Sequence, residues 1–172
     1  MPGPEISLRP LVHGDAPVLA SWADDATFRA HAGWRQHPST ALAVTWWQHH
    51  IAEPDPRLVR LLALHGEEAV GYVDLYADDE SARELGYLIA PSARWGRGLG
   101  TAVARAGLAH GFEVLGLERI WAEAVEANVA SVRVLRRIGM RATGFGATDE
   151  FLGESSRYLQ FELLRTEWRQ LT

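Results

Sequence analysis

The chain of 172 residues contains no cysteine, and its 17 basic residues are all arginine, so lysine is absent as well. Without cysteine there is no disulfide framework, no thiolate metal site and no cysteine nucleophile. Without lysine there is no Walker A loop, which depends on a Gly-Lys pair. Positive charge is not in excess either. The net charge of −5 argues against broad nucleic-acid binding, which leans on a basic surface. No apolar run approaches the roughly 20 residues that a membrane-crossing helix needs. The opening Met1-Pro2-Gly3-Pro4-Glu5 lacks the basic and apolar regions of a secretory signal. Internal repeats, linkers and low-complexity segments are also missing. With 47% hydrophobic residues, the expectation is one globular, cytoplasmic domain large enough to bury a core. Membrane and nucleic-acid partners are not expected, nor is a metal site.

Hydrophobic spacing outlines the elements. Residues 6–11 alternate apolar and polar side chains and predict a first strand. Asp15 is placed to cap the helix that follows, with Pro17 in its first turn and Val18, Leu19 and Trp22 on one face. Ser39 is placed to cap a second helix carrying Leu42, Ala43, Trp46, Trp47 and His50, and residues 24–38 between the two read as irregular. Strands are predicted over 58–64, 70–76 and 83–89, joined by a Gly66 turn and the polar Asp78-Asp79-Glu80-Ser81 connection. After the next helix come a short strand over 120–125, a helix over 129–138, and two strands near 140–149 and 155–164. Periodicity alone gives α/β or α+β and nothing finer. His49 and His50 are neighbours on a helix, where successive side chains point apart, and they read as surface or packing residues.

The informative stretch is Ala93-Arg94-Trp95-Gly96-Arg97-Gly98-Leu99-Gly100-Thr101, with Val103, Ala104, Gly107, Leu108, Gly111, Phe112 and Leu115 following at helical spacing. A glycine-rich turn into a helix brings free N–H groups and the positive end of the helix dipole together. That combination suits a phosphate or pyrophosphate, and Arg94, Arg97 and Arg105 add positive charge nearby. A dinucleotide fingerprint fits poorly, because Thr101 or Val103 stands where its last glycine falls.

Read whole, Glu84-Leu85-Gly86-Tyr87-Leu88-Ile89-Ala90-Pro91 through Gly96-Arg97-Gly98-Leu99-Gly100-Thr101 resembles the acetyl-CoA-binding core of the GNAT acetyltransferases. Further on, Asn128-Val129-Ala130-Ser131 and Leu135-Arg136-Arg137-Ile138-Gly139-Met140 are similar to the family's second motif, Asn-x-x-Ser/Ala and a helix ending in Gly-Phe. The likeness is nearest to the branch with the ribosomal-protein N-terminal acetyltransferases and some aminoglycoside 6′-N-acetyltransferases. It implies a single-domain acyl-CoA N-acyltransferase fold over residues 5–168, in the order βααββββαβαββ. The implied sheet is mixed and mostly antiparallel, of about seven strands flanked by helices. It also implies acetyl-CoA as co-substrate and direct transfer to a primary amine, on a protein N-terminus or a small molecule, in a ternary complex. A non-catalytic acyl-CoA-binding domain is the alternative, and a homodimer is left open.

Residue by residue, the resemblance puts the pantetheine arm against Leu88, Ile89 and Ala90, between strands that splay apart. It puts the pyrophosphate on the run from Gly96 to Thr101, with Arg97, Gly98, Leu99 and Gly100 between them. Asn128 would hold the far side of the arm, or simply cap its helix. Arg133 and Arg136 would reach the adenosine phosphates, or lie on a solvated helix face. The family's Gln/Arg position falls on Trp95 by strict spacing, or on Arg94 if the loop is one residue longer. The family's acidic tyrosine falls on Leu135, which leaves Ser131 or a water to donate the proton. Glu84 is the candidate base, because an amine with pKa near ~10 must be deprotonated before it attacks; an exposed strand glutamate is the other reading. Trp34, Asp74 and Tyr76 are the candidate acceptor contacts, an aromatic wall suiting a sugar or a cation. The remaining tryptophans of the first 50 residues read as packing. Asp74, Asp78, Asp79, Glu80, Asp149, Glu150 and Glu154 would form an acidic rim that steers a cationic amine.

Overall fold

The computed structural model describes residues 3–77 and 79–171; Asp78, one member of the expected acidic rim, lies outside the described residues. Seven strands form one sheet: β1 (Ser7–Pro10), β2 (Leu58–His65), β3 (Glu68–Ala77), β4 (Ala82–Ile89), β5 (Arg119–Val125), β6 (Arg141–Phe151) and β7 (Glu154–Leu164). Their order is β1-β2-β3-β4-β5-β7-β6. Every neighbouring pair is antiparallel except β4 and β5, which run parallel. This is the mixed, mostly antiparallel sheet expected. The implied element order is corrected first in its strands: three, not four, lie between the first group of helices and the next helix. Among the described residues of 57–90 the chain reverses at Gly66 and at the Asp79 turn, and so makes three strands.

Helices cover both faces. On one lie α1 (Ala16–Ser21), α2 (Ala26–Ala32) and α3 (Thr40–Ala52); on the other lie α4 (Leu99–Ala109), α5 (Val129–Arg137) and α6 (Arg165–Leu171). The period-2 pattern of each strand sorts its side chains between them. Val73, Leu75, Leu85, Ile120, Ala122, Phe161 and Leu163 face α4 and α5, around Val103, Leu108, Phe112 and Leu135. Leu62 and Tyr72 face the other way, against Leu19, Trp22, Phe28 and Trp47. Burying a Leu or Phe side chain contributes about 1.5–3 kcal/mol each, so the two cores together fix the sheet's faces.

The caps explain the helix starts. Ser39 Oγ accepts the Leu42 N–H at 3.2 Å and opens α3 as expected. Asn128 Oδ1 accepts the Ser131 N–H at 3.2 Å and opens α5. Asp15 does not cap α1. Its carboxylate accepts from the Val12 N–H at 2.8 Å and holds Arg9 through two bonds of 2.7 Å, and Arg9 keeps its pKa below the usual carboxylate range. Residues 24–38 are not wholly irregular either. Asp25 Oδ1 accepts the Phe28 N–H at 3.0 Å and caps α2, which ends at Gly33 with φ +67. α6 was not expected; its Trp168 stacks on Phe112 at 5.8 Å and closes the core behind α4. Among the described residues no helix is long and apolar enough to cross a membrane.

Candidate active site

The site begins where two strands part. β4 and β5 pair only at Ala82↔Arg119, Arg83↔Ile120 and Glu84↔Trp121. Beyond Glu84, β4 stays with β3 as far as Ile89, and β5 stays with β7 as far as Val125. Each strand therefore leaves an edge of backbone groups open to the gap, ready to take an added strand. On its other side the end of β4 is held close to β3 at Gly71. A Cβ there would stand 1.9 Å from the Leu88 carbonyl oxygen, so only glycine lets β3 and the end of β4 pack this closely.

At the open end of the gap, β4 leads through a single turn, Ser92–Arg94, into the glycine loop and α4. Gly96 and Gly98 have φ of +76° and +80°, a conformation closed to most other residues. The Ala102 N–H is bonded to the Gly98 carbonyl. The N–H groups of Leu99, Gly100 and Thr101 precede it and have no intrahelical acceptor. They stand at the positive end of an 11-residue helix, the arrangement that takes phosphate. Across the gap, α5 packs on α4, with Val134 Cγ2 3.6 Å from where a Gly100 Cβ would be. Tyr87 sits between them with its hydroxyl buried beside that of Ser131. Burial pushes that phenol up to about 12, and the neighbouring Ser131 hydroxyl offsets part of the shift. A gap with open backbone edges and free helical N–H groups fits an acyl-CoA.

The comparison with known proteins agrees. Residues 5–141 match the model of the acetyltransferase (GNAT) domain. The chain belongs to this family. It is 34% identical over 77 residues to the uncharacterized N-acetyltransferase YnaD of Bacillus subtilis (strain 168), a match taking in 44% of this chain and 45% of that protein. The match therefore spans less than half of that relative's length. The fold superposes on spermidine N-acetyltransferase from Vibrio cholerae, solved with CoA and spermine, with a TM-score of 0.79 at 19% identity, covering 96% of this chain and 98% of that one. For aminoglycoside acetyltransferase AAC(6')-Ib, solved with coenzyme A, the TM-score is 0.76 at 20% identity, with 96% and 98% covered. At such identities the likeness is one of fold.

In this GNAT domain the structure brings Leu88, Ile89 and Ala90 to the end of β4, the run from Gly96 to Thr101 to the start of α4, and Asn128 and Ser131 to the start of α5. Arg133 and Arg136 are exposed on α5. Arg94 turns away from the helix N-terminus and pairs with Glu68 at the start of β3. Trp95 donates from Nε1 to the Ile89 carbonyl at 2.8 Å, and His31 of α2 lies against its ring at 4.9 Å. Neither residue of the expected Gln/Arg position rests on the α4 N–H groups in this structure. Leu135 is fully buried.

The opposite face of β4 and β5 holds the acids. Glu84 occupies the last paired position before the strands part, with Tyr76 beside it on β3. Glu123 of β5, Tyr158 of β7 and Asp149 of β6 lie close by. Tyr158 donates to Asp149 Oδ2 at 2.9 Å. Burial, then the bond to Asp149, then the charges of Asp149, Glu123 and Glu84 push the Tyr158 phenol up to about 12. Sequence reasoning missed Tyr87, Glu123 and Tyr158. Asp74, by contrast, is held by Arg60 through bonds of 2.7 and 2.6 Å, so its charge is already matched. The Tyr76 ring carries the Arg57 guanidinium 4.9 Å above its centre. Trp34 packs edge-on to Phe28 and against Trp47 and Tyr72. Of the remaining rim acids, Asp79 is spent on its own turn, accepting from the Ser81 and Ala82 N–H groups, while Glu80, Glu150 and Glu154 are exposed.

Proposed function

We propose that the protein is an acetyl-CoA-dependent N-acetyltransferase that passes the acetyl group directly to a primary amine in a ternary complex. The divergence of β4 and β5, opening onto the N–H groups at the start of α4, is the observation that carries this reading. Acetyl-CoA supplies an acetyl group activated as a thioester. The N–H groups from Arg97 to Thr101 hold its pyrophosphate. The open edge of β4 at Leu88, Ile89 and Ala90 pairs with the amides of its arm as an added strand would. Asn128 faces the arm from α5, and Arg133 and Arg136 reach for the adenosine phosphates. Trp95 must share or release the Ile89 carbonyl as the arm enters.

The amine arrives on the acidic face. Glu84, Glu123 and Asp149 together favour an ammonium there and raise its local concentration. Glu84 takes the proton, directly or through water. Ser131, on the other side of the gap, returns a proton to the departing thiolate. Tyr87, buried beside it and protonated at neutral pH, supports that hydroxyl. The spermidine acetyltransferase structure holds a cationic amine, spermine; a small-molecule amine is accordingly the favoured acceptor, with a protein N-terminus second. A panel of amines incubated with acetyl-CoA tests the reading. CoA should be released only with a suitable amine, and intact mass after acetyl-CoA alone should show no added acetyl group. A stoichiometric, turnover-competent acetyl-enzyme would overturn direct transfer. Tight acetyl-CoA binding with no turnover on any amine would favour the non-catalytic reading, for which the buried Leu135 is the supporting observation.

A further inference from the structure

Under α1–α3, on the face of the sheet away from α4, a cavity of about 460 Å³ is walled by Trp34, Trp46, Trp47 and Tyr72 and reaches Arg60. Sites for small molecules run from roughly 300 to 1,000 Å³ and are mostly apolar, with a few placed polar groups. The cavity has that make-up, and the acetyl-transfer reading does not use it.

Its charge is the informative part. The charged side chains lining it are Arg35 and Arg60, with His37 beside them, and no acid lines it among the described residues. Arg60 lies over two rings, 4.5 Å from the centre of Tyr72 and 5.5 Å from that of Trp47. Asp74 fixes it through Nε and Nη2 but does not itself line the cavity. A guanidinium carries five N–H donors in a rigid planar fork. Here one edge is spent on orientation by Asp74, and Nη1 is left for a ligand. A cation entering the cavity would find a guanidinium already on the ring faces it needs, and would be repelled by it. A carboxylate gains a charge-assisted hydrogen bond to a donor already held in place. Trp34 and Trp46 offer flat apolar surface to whatever carries that carboxylate.

We infer that this cavity binds a small carboxylate with a flat apolar body, an arylalkyl carboxylate in chemical class. The acid sits on Arg60 Nη1 and the ring lies among Trp34, Trp46 and Trp47. None of the residues given a role in acetyl transfer above lines this cavity, and a carboxylate takes the place of the sugar or cation expected at the aromatic wall.

The matched pair 3-phenylpropionate and 3-phenylpropan-1-amine tests it, because the two share a body and differ in the sign of charge. Tryptophan fluorescence is titrated without acetyl-CoA on the wild type, on Trp46→Ala and on the double variant R60Q/D74N, which removes both charges and strands neither. For a ligand of this size the acid should bind the wild type with Kd at or below about 1 mM. The amine should bind at least about tenfold more weakly, and R60Q/D74N should lose at least about tenfold for the acid and little for the amine. Trp46 is 40% exposed, so Trp46→Ala keeps the fold and should weaken the acid as well. Equal binding of acid and amine overturns the inference, as does no acid binding by about 10 mM. So does wild-type acid affinity in Trp46→Ala, which decides the matter if the double variant fails to fold. Acetyl-CoA binding on the same samples reports separately on the acetyltransferase reading.

Discussion

Glu84→Gln should lower kcat at neutral pH by about 10²–10⁴, the usual worth of general-base assistance. Glutamine keeps the size and most of the hydrogen-bonding capacity of the side chain but accepts no proton. Glu84 stands at the last paired position of β4 and β5, on the face that also carries Glu123 and Asp149. The proposed pyrophosphate site is backbone on the loop beyond Pro91, so acetyl-CoA affinity should change little. Activity of the variant should recover as pH approaches the amine's own pKa near ~10, where free amine needs no base. A drop of less than about threefold would make Glu84 an ordinary strand residue, given what base catalysis is worth. Glu123 would then be the next residue to test, since Asp74 is already committed to Arg60.

Gly71→Ala should destabilise the protein by about 2–4 kcal/mol, at the upper end of what overpacking costs. The added Cβ would stand 1.9 Å from the Leu88 carbonyl oxygen and 3.0 Å from its carbon. Neither is the movable tip of a side chain, so one strand must shift. If β4 shifts, the free edge proposed to receive the pantetheine arm shifts with it, and acetyl-CoA affinity should fall along with the melting temperature. Gly86→Ala is the control on the same pair of strands. Its Cβ would meet only Asp74 Cβ at 3.5 Å, an ordinary contact, and stability should stay within about 1 kcal/mol. Equal melting temperatures for the two variants would mean that β3 and β4 have slack at Gly71.

Much of this architecture was legible in the sequence because it is written in local patterns. The alternation in residues 6–11, the apolar-rich segments at 58–64 and 83–89, the Ser39 and Asn128 caps and the glycine run before α4 all depend on neighbours a few positions away. α2 escaped notice because it is seven residues long and buries only Phe28 among its side chains, too little to show a period. Asp15 looked like a cap because of its position, but Arg9, six residues earlier, claims its carboxylate. Arg60 and Asp74 are 14 residues apart and meet only because β2 and β3 pair in a register that sets them opposite each other. Glu84, Glu123, Asp149 and Tyr158 come from four different strands. Such a cluster is a product of sheet order, β4-β5-β7-β6, and no short-range spacing announces it. The splay itself was expected from the family resemblance; the close approach of β3 to β4 at Gly71 was not.

The most direct measurement is the melting temperature with and without acetyl-CoA, on the wild type and on Gly100→Glu. Gly100 is the second residue of α4, and its Cβ would point between Val134, Ile89 and Tyr87, into the mouth of the gap. A glutamate there puts bulk and negative charge at the proposed pyrophosphate position. At ~100 times its Kd a ligand stabilises the folded state by about 2.7 kcal/mol, which for a domain of this size is a rise of about 5–11 °C. The wild type should show that rise and Gly100→Glu should show none. A wild-type melting temperature unmoved by saturating acetyl-CoA, or an equal rise in both proteins, would contradict binding at the α4 loop.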